Sequence, residues 1–119
     1  MTAPLPLTRR TALTGVAGFA LSLSAPATLR AQAETQRLVA AGGVITEILY
    51  ALGREDLLVG VDTTSLHPAE ALKTKPNIGY VRALSVEGIL SLRPTRVIAI
   101  EGAGPPDALK LVAEAGVAV

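Results

Sequence analysis

No cysteine occurs anywhere in this chain of 119 residues. Within these residues that excludes disulfides, thiolate metal centres, a cysteine nucleophile and a lipid-modified cysteine, so stability has to come from the core alone. Tryptophan is absent and aromatics make up only 3% of the chain. The interior must then be built from Ala, Val, Leu and Ile, a composition suited to helices packed on parallel strands. With neither a basic stripe nor interleaved aromatics, nothing resembles a nucleic-acid footprint. Histidine occurs once, as His67. It is the only neutral nitrogen ligand that the side chains offer to a metal or to a metal-bearing cofactor.

The formal charge of +1 is an uneven sum. Arg9, Arg10 and Arg30 fall in an N-terminal stretch without acids, and setting aside residues 1–33 leaves 8 Lys and Arg against 10 Asp and Glu, net −2. The stretch reads as an export signal. Thr8-Arg9-Arg10-Thr11 is a charged start, Ala12 to Leu23 is a mildly apolar run loosened by Thr14, Gly15 and Gly18, and Ala31-Gln32-Ala33 is a small-x-small cleavage pattern with cleavage expected after Ala33. The run falls short of the ~20 apolar residues a membrane span needs. Paired arginines resemble a twin-arginine signal, yet Ala12 and Thr14 stand where the fuller motif favours phenylalanine and lysine, so the general secretory route stays open.

Residues 34–119 alternate strand and helix. The pattern predicts a strand over Arg37–Ala41 ending at Gly42-Gly43, then a helix over Val44–Leu52 whose Ile45, Ile48, Leu49 and Leu52 mark one buried face, stopped by Gly53. Leu57–Val61 reads as a second buried strand. Asp62-Thr63-Thr64-Ser65-Leu66-His67 follows as a polar loop, with one helical turn over Pro68–Leu72 and a brief extended piece at Ile78–Val81. Ser85 is an N-cap and Glu87 suits the first turn of a helix carrying Ile89, Leu90 and Leu92 up to Pro94. Arg96–Ile100 is the next strand, Gly102-Ala103-Gly104 the next loop, and Pro105 the N1 residue of a helix through Ala115, stopped by Gly116. The fold class expected is α/β, a parallel sheet with helices on both faces. The apolar Val117-Ala118-Val119 reads as a strand cut short, so the lobe over 34–119 is expected to be incomplete and to be the first part of a longer protein.

These residues carry a resemblance. Leu38-Val39-Ala40-Ala41-Gly42-Gly43-Val44-Ile45-Thr46-Glu47-Ile48, Val59-Gly60-Val61-Asp62-Thr63-Thr64-Ser65-Leu66-His67-Pro68, Ile78-Gly79-Tyr80-Val81-Arg82-Ala83-Leu84-Ser85-Val86-Glu87-Gly88-Ile89-Leu90, Leu92-Arg93-Pro94 and Glu101-Gly102-Ala103-Gly104-Pro105-Pro106 look like the amino-terminal lobe of periplasmic haem-binding proteins of ABC transporters. The gapped motifs belong to a wider group that also binds cobalamin and iron-siderophores, and the Gly79 to Leu84 and Glu101 to Pro106 segments favour its haem branch. The resemblance implies a periplasmic, monomeric substrate-binding protein of two α/β lobes joined by a helix. Such a protein captures haem between the lobes and delivers it to an inner-membrane ABC permease, with no chemistry on the ligand. A cobalamin or siderophore receptor is the alternative within the group. An exported enzyme is the other class, against which the chain has no nucleophile-elbow serine and a single histidine.

The same resemblance assigns site residues. Where the family usually has a tyrosine before the loop proline, whose phenolate is the axial ligand to ferric haem, this chain has His67. Imidazole ligates ferric and ferrous iron alike, so His67 is either the haem-iron ligand or a plain loop residue. Tyr80 is placed to stack on the porphyrin, to substitute as a ligand or to pack beneath the loop, and Arg82 to pair with a haem propionate or to stand in solvent. Gly42, Gly43, Gly102 and Gly104 let backbone approach a flat ligand or serve tight turns. Glu87 matches the exposed glutamate with which such lobes dock onto permease arginines, and it also complements the helix dipole.

Overall fold

In a computed structural model of the chain the described residues are 35–119 and, before them, Thr2 alone; the export signal expected over residues 1–33 otherwise lies outside them. Apolar runs and amphipathic segments fold in alternation: β1 (Leu38–Ala41), α1 (Gly43–Ala51), β2 (Leu58–Val61), α2 (Glu70–Thr74), β3 (Gly79–Tyr80), β4 (Ala83–Leu84), α3 (Val86–Ser91), β5 (Arg96–Ala99) and α4 (Pro106–Glu114). A short 3-10 turn over Glu55–Leu57 leads into β2. Strands β2, β1 and β5 lie in that order in a parallel sheet. All of β1 is buried, as a central strand covered on both faces must be. Asn77 bridges Val61 and Ala118 bridges Arg96, both in parallel, one at each edge of the sheet.

Helices lie on both faces, as the alternation predicts. The pleat sends Val39, Ala41 and Val97 to one face, where they meet Ile89 of α3 and Val112 of α4. It sends Leu38, Ala40 and Leu58 to the other, against Ile45, Leu49 and Tyr50 of α1 and Leu72 of α2. Val39, Ile89, Val97 and Val112 are fully buried, and each contributes roughly 1.5–3 kcal/mol of apolar burial. Helix ends follow local chemistry. Ser85 caps α3 by accepting the Gly88 N–H at 3.0 Å, and Gly53 and Gly116 take positive φ just past α1 and α4. Arg37 clasps the end of α3, its Nη2 donating to the Leu92 carbonyl at 2.7 Å and its Nε to that of Arg93 at 3.1 Å.

Three expectations need correction. The buried face of α1 is not Ile45, Ile48, Leu49 and Leu52: Ile48 and Leu52 are 52% and 67% exposed, and the fully buried helix position is Thr46. Nearly every α1 position is apolar, so apolar spacing alone did not single out a face. The extended piece at Ile78–Val81 is half of a hairpin, β3 pairing antiparallel with β4 through Gly79–Leu84 and Tyr80–Ala83. Two-residue strands are too short to show a period. Pro105 is the N-cap of α4 and Pro106 its first residue, one position later than predicted. Among the described residues no helix is long and apolar enough to cross a membrane.

Candidate functional site

Three parallel strands release the chain at one edge of the sheet, so the segments after β1, β2 and β5 meet there. What fixes them is Asp62, the first residue after β2, which is fully buried. Its Oδ1 accepts the Gly42 N–H at 2.9 Å and the Ser65 hydroxyl at 3.2 Å. Its Oδ2 accepts the Thr64 N–H at 3.0 Å and the Thr64 hydroxyl at 2.7 Å. The Ser65 proton is thereby committed, so Thr46 of α1 donates to Ser65 Oγ across 2.7 Å. Thr64 Oγ1 in turn accepts the Gly43 N–H at 2.9 Å. The carboxylate stands at the amino terminus of α1 and receives hydrogen bonds from four donors, which offsets the loss of water around a buried charge. Among the described residues no buried side-chain nitrogen or oxygen lacks a partner.

Every backbone N–H of the loop from Asp62 to Leu66 has an acceptor, that of Thr64 being Asp62 Oδ2. Asp62 N–H donates to the Ala40 carbonyl at 3.2 Å, Thr63 to Gly79 at 2.9 Å, Ser65 to Asp62 at 3.1 Å and Leu66 to Thr64 at 2.9 Å. Thr63 ties the loop to the β3–β4 hairpin. The hairpin is held on its other side by Gly104, whose N–H donates to Val81 and whose carbonyl accepts from Leu84, both at 2.9 Å. A continuous rim results: the Gly42-Gly43 turn, the His67 loop, the hairpin bearing Tyr80 and Arg82, and the Gly102–Gly104 loop.

The site residues read from the sequence fall on this rim, with one exception. His67 and Arg82 are exposed, and Tyr80 is 49% exposed on β3, so its ring is not packed beneath the loop. Gly42 and Gly43 have packing roles inside the lobe. A Cβ at Gly42, where φ is +134°, would lie 2.6 Å from Ile100 Cγ2, and one at Gly43 would lie 2.2 Å from the Thr64 carbonyl oxygen. Gly102 differs, with φ at +80° and nothing within 4 Å of an added Cβ. Glu87 is the exception, exposed in the first turn of α3. Among the described residues no three His, Cys, Asp or Glu side chains converge on a metal-binding group. Sequence reading placed Asp62 in the loop and missed its role. The signal was there: an Asp at the end of an apolar strand, with Thr two residues on, is the pattern of a side chain that bonds the backbone ahead of it.

Comparison with known proteins agrees with this architecture. A family model described as periplasmic binding protein matches residues 38–119. The periplasmic heme-binding protein RhuT of Roseiflexus sp. RS-1, in apo form, is 52% identical with a TM-score of 0.68, over 71% of this chain and 32% of that one. A periplasmic heme-binding protein from Pseudomonas aeruginosa is 55% identical with a TM-score of 0.67, over 71% and 30%. The vitamin B12-binding protein of Yersinia pestis is 34% identical over 92 residues, 77% of this chain and 32% of its own length. The chain thus spans about a third of the length of these relatives.

Proposed function

We propose, from the premise that this chain belongs to the periplasmic binding protein family, that it is the amino-terminal lobe of a haem-capture protein serving an ABC importer. His67 supplies iron with the axial ligand from this lobe, and no bond of the ligand is made or broken beyond that coordination. The observation that supports haem is the character of the rim. Val44 at the start of α1, Leu66 beside His67, Tyr80 on the hairpin and Ile100 after β5 are exposed large apolar side chains, all carried by segments at the carboxyl edge of the sheet. A porphyrin is a flat apolar disc that fills the four equatorial positions of iron itself, so what it asks of a protein is an apolar bed and an axial ligand, which an imidazole can supply. A hexadentate siderophore complex arrives with all six positions of its iron already filled and has no use for an imidazole. Arg82, exposed on the hairpin turn, pairs with a propionate, since a guanidinium offers two donors to a carboxylate. Residues 1–33 direct export to the periplasm and are removed, and Glu87 docks the lobe onto the permease.

Cobalamin is the second reading, favoured by the similarity to a vitamin B12-binding protein. Titrating the full-length protein with hemin and with cyanocobalamin separates the two: a Soret shift saturating at stoichiometric hemin is expected, and saturable cobalamin binding without it would replace the haem reading. His67→Ala should blue-shift or broaden the Soret band and weaken binding. His67→Tyr should restore binding with a ferric high-spin phenolate spectrum. An alanine variant with the parent's affinity and spectrum would make His67 a loop residue.

A further inference from the structure

We propose that Asp62 is a positioning residue for haem binding, setting through the Thr64–Leu66 backbone where the His67 imidazole is held; this rests on the reading of His67 as the iron ligand. Two alternatives for Asp62 fit less well. A carboxylate that served only to stabilise the fold would not need to bond the loop on both sides, since one bond to Gly42 already joins β2 to the β1–α1 turn. A carboxylate that touched the ligand would need exposure, and Asp62 has none. Instead its two oxygens bond residues two and three ahead in the loop as well as Gly42 behind. Thr64 and Ser65 are thereby fixed relative to the amino terminus of α1, and the Leu66 N–H, bonded to the Thr64 carbonyl, carries that order to the residue before His67. A coordinate bond to iron is directional, so a loop ordered before the ligand arrives presents one imidazole orientation rather than several.

Asp62→Asn is the test, because it keeps the shape while turning one acceptor oxygen into a donor that faces N–H or O–H groups. In the full-length protein it should weaken hemin binding about tenfold and split the ferric axial-ligand spectrum into more than one population. In the hemin-free protein, amide exchange at Thr64, Ser65 and Leu66 should accelerate while that at Ile89 and Val97 in the core does not. A single parent-like spectrum with parent affinity in Asp62→Asn would overturn the proposal, provided His67→Ala alters both. If His67→Ala changes neither, the ligand reading is what has failed, and the exchange measurement still decides whether Asp62 orders the loop. Should Asp62→Asn not fold, Thr64→Val and Thr64→Ser replace it. Valine removes the hydroxyl bonded to Asp62 and should split the spectrum, serine keeps that hydroxyl and should not, and identical spectra for the two would overturn the proposal.

Discussion

Two loops at the carboxyl edge of the sheet are held in different ways. The loop after β2 is fastened by side chains, through Asp62, Thr64 and Ser65, to a buried carboxylate. The loop after β5 is fastened by backbone alone, with Ala103 N–H on the Ile100 carbonyl at 3.1 Å and Gly104 paired to Val81 and Leu84. The first carries the sole imidazole, the second an unencumbered Gly102. On the proposed reading, a ligand atom that must meet iron along one direction needs fixed geometry, whereas a loop that only borders a disc can be held more loosely. Substitutions in the two loops should therefore have very different effects.

The contrast is broken most severely by Asp62→Ala, which leaves the Gly42 and Thr64 amides without their acceptor. We expect a loss of about 3 kcal/mol in urea unfolding of the full-length protein, from one buried and one partly buried donor stranded at roughly 1–3 kcal/mol each. Gly42→Ala should come next at about 2 kcal/mol, combining a left-handed φ with a clash against Ile100. Adding Ile100→Ala should recover only part of that loss, the clash and not the backbone strain, and a double-mutant cycle measures the coupling. Gly102→Ala meets no neighbour, so only the positive φ counts, at about 1 kcal/mol, with hemin affinity unchanged. Smallest in binding and stability is Glu87→Ala, which changes stability by no more than about 1 kcal/mol through the helix dipole. It should leave the hemin titration curve intact and reduce haem-dependent growth in cells that rely on this importer.

The sheet was legible because β1, β2 and β5 are short apolar runs bounded by glycine or polar loops, and the ends of α1, α3 and α4 because Gly53, Ser85 and Gly116 act through local capping rules that do not depend on packing. The inward face of α1 was not legible. Val44, Ile48 and Leu52 lie on one exposed stripe, and the buried Thr46 is polar, tolerated there because Ser65 from a distant loop satisfies its hydroxyl. Asp62 was legible only in part, through its bond to Thr64 and not through that to Gly42. Its partners Gly42 and Thr64 lie 20 residues behind it and 2 ahead, and only the assembled sheet brings the first of them within reach.

The sheet order has a consequence for how the chain reaches this state. The central strand is the first of the described strands in sequence, and its neighbours arrive late: the bond from Gly42 to Asp62 closes a separation of 20 residues, and that from the Arg37 N–H to Thr95 Oγ1 one of 58. Loop closure over such distances has to precede the pairing that rewards it, so this topology nucleates slowly compared with a helical bundle of equal size. While it is being synthesised, β1 waits with an apolar, unpaired edge until Arg96 emerges, and a nascent chain stopped before that point offers the edge to any other extended segment.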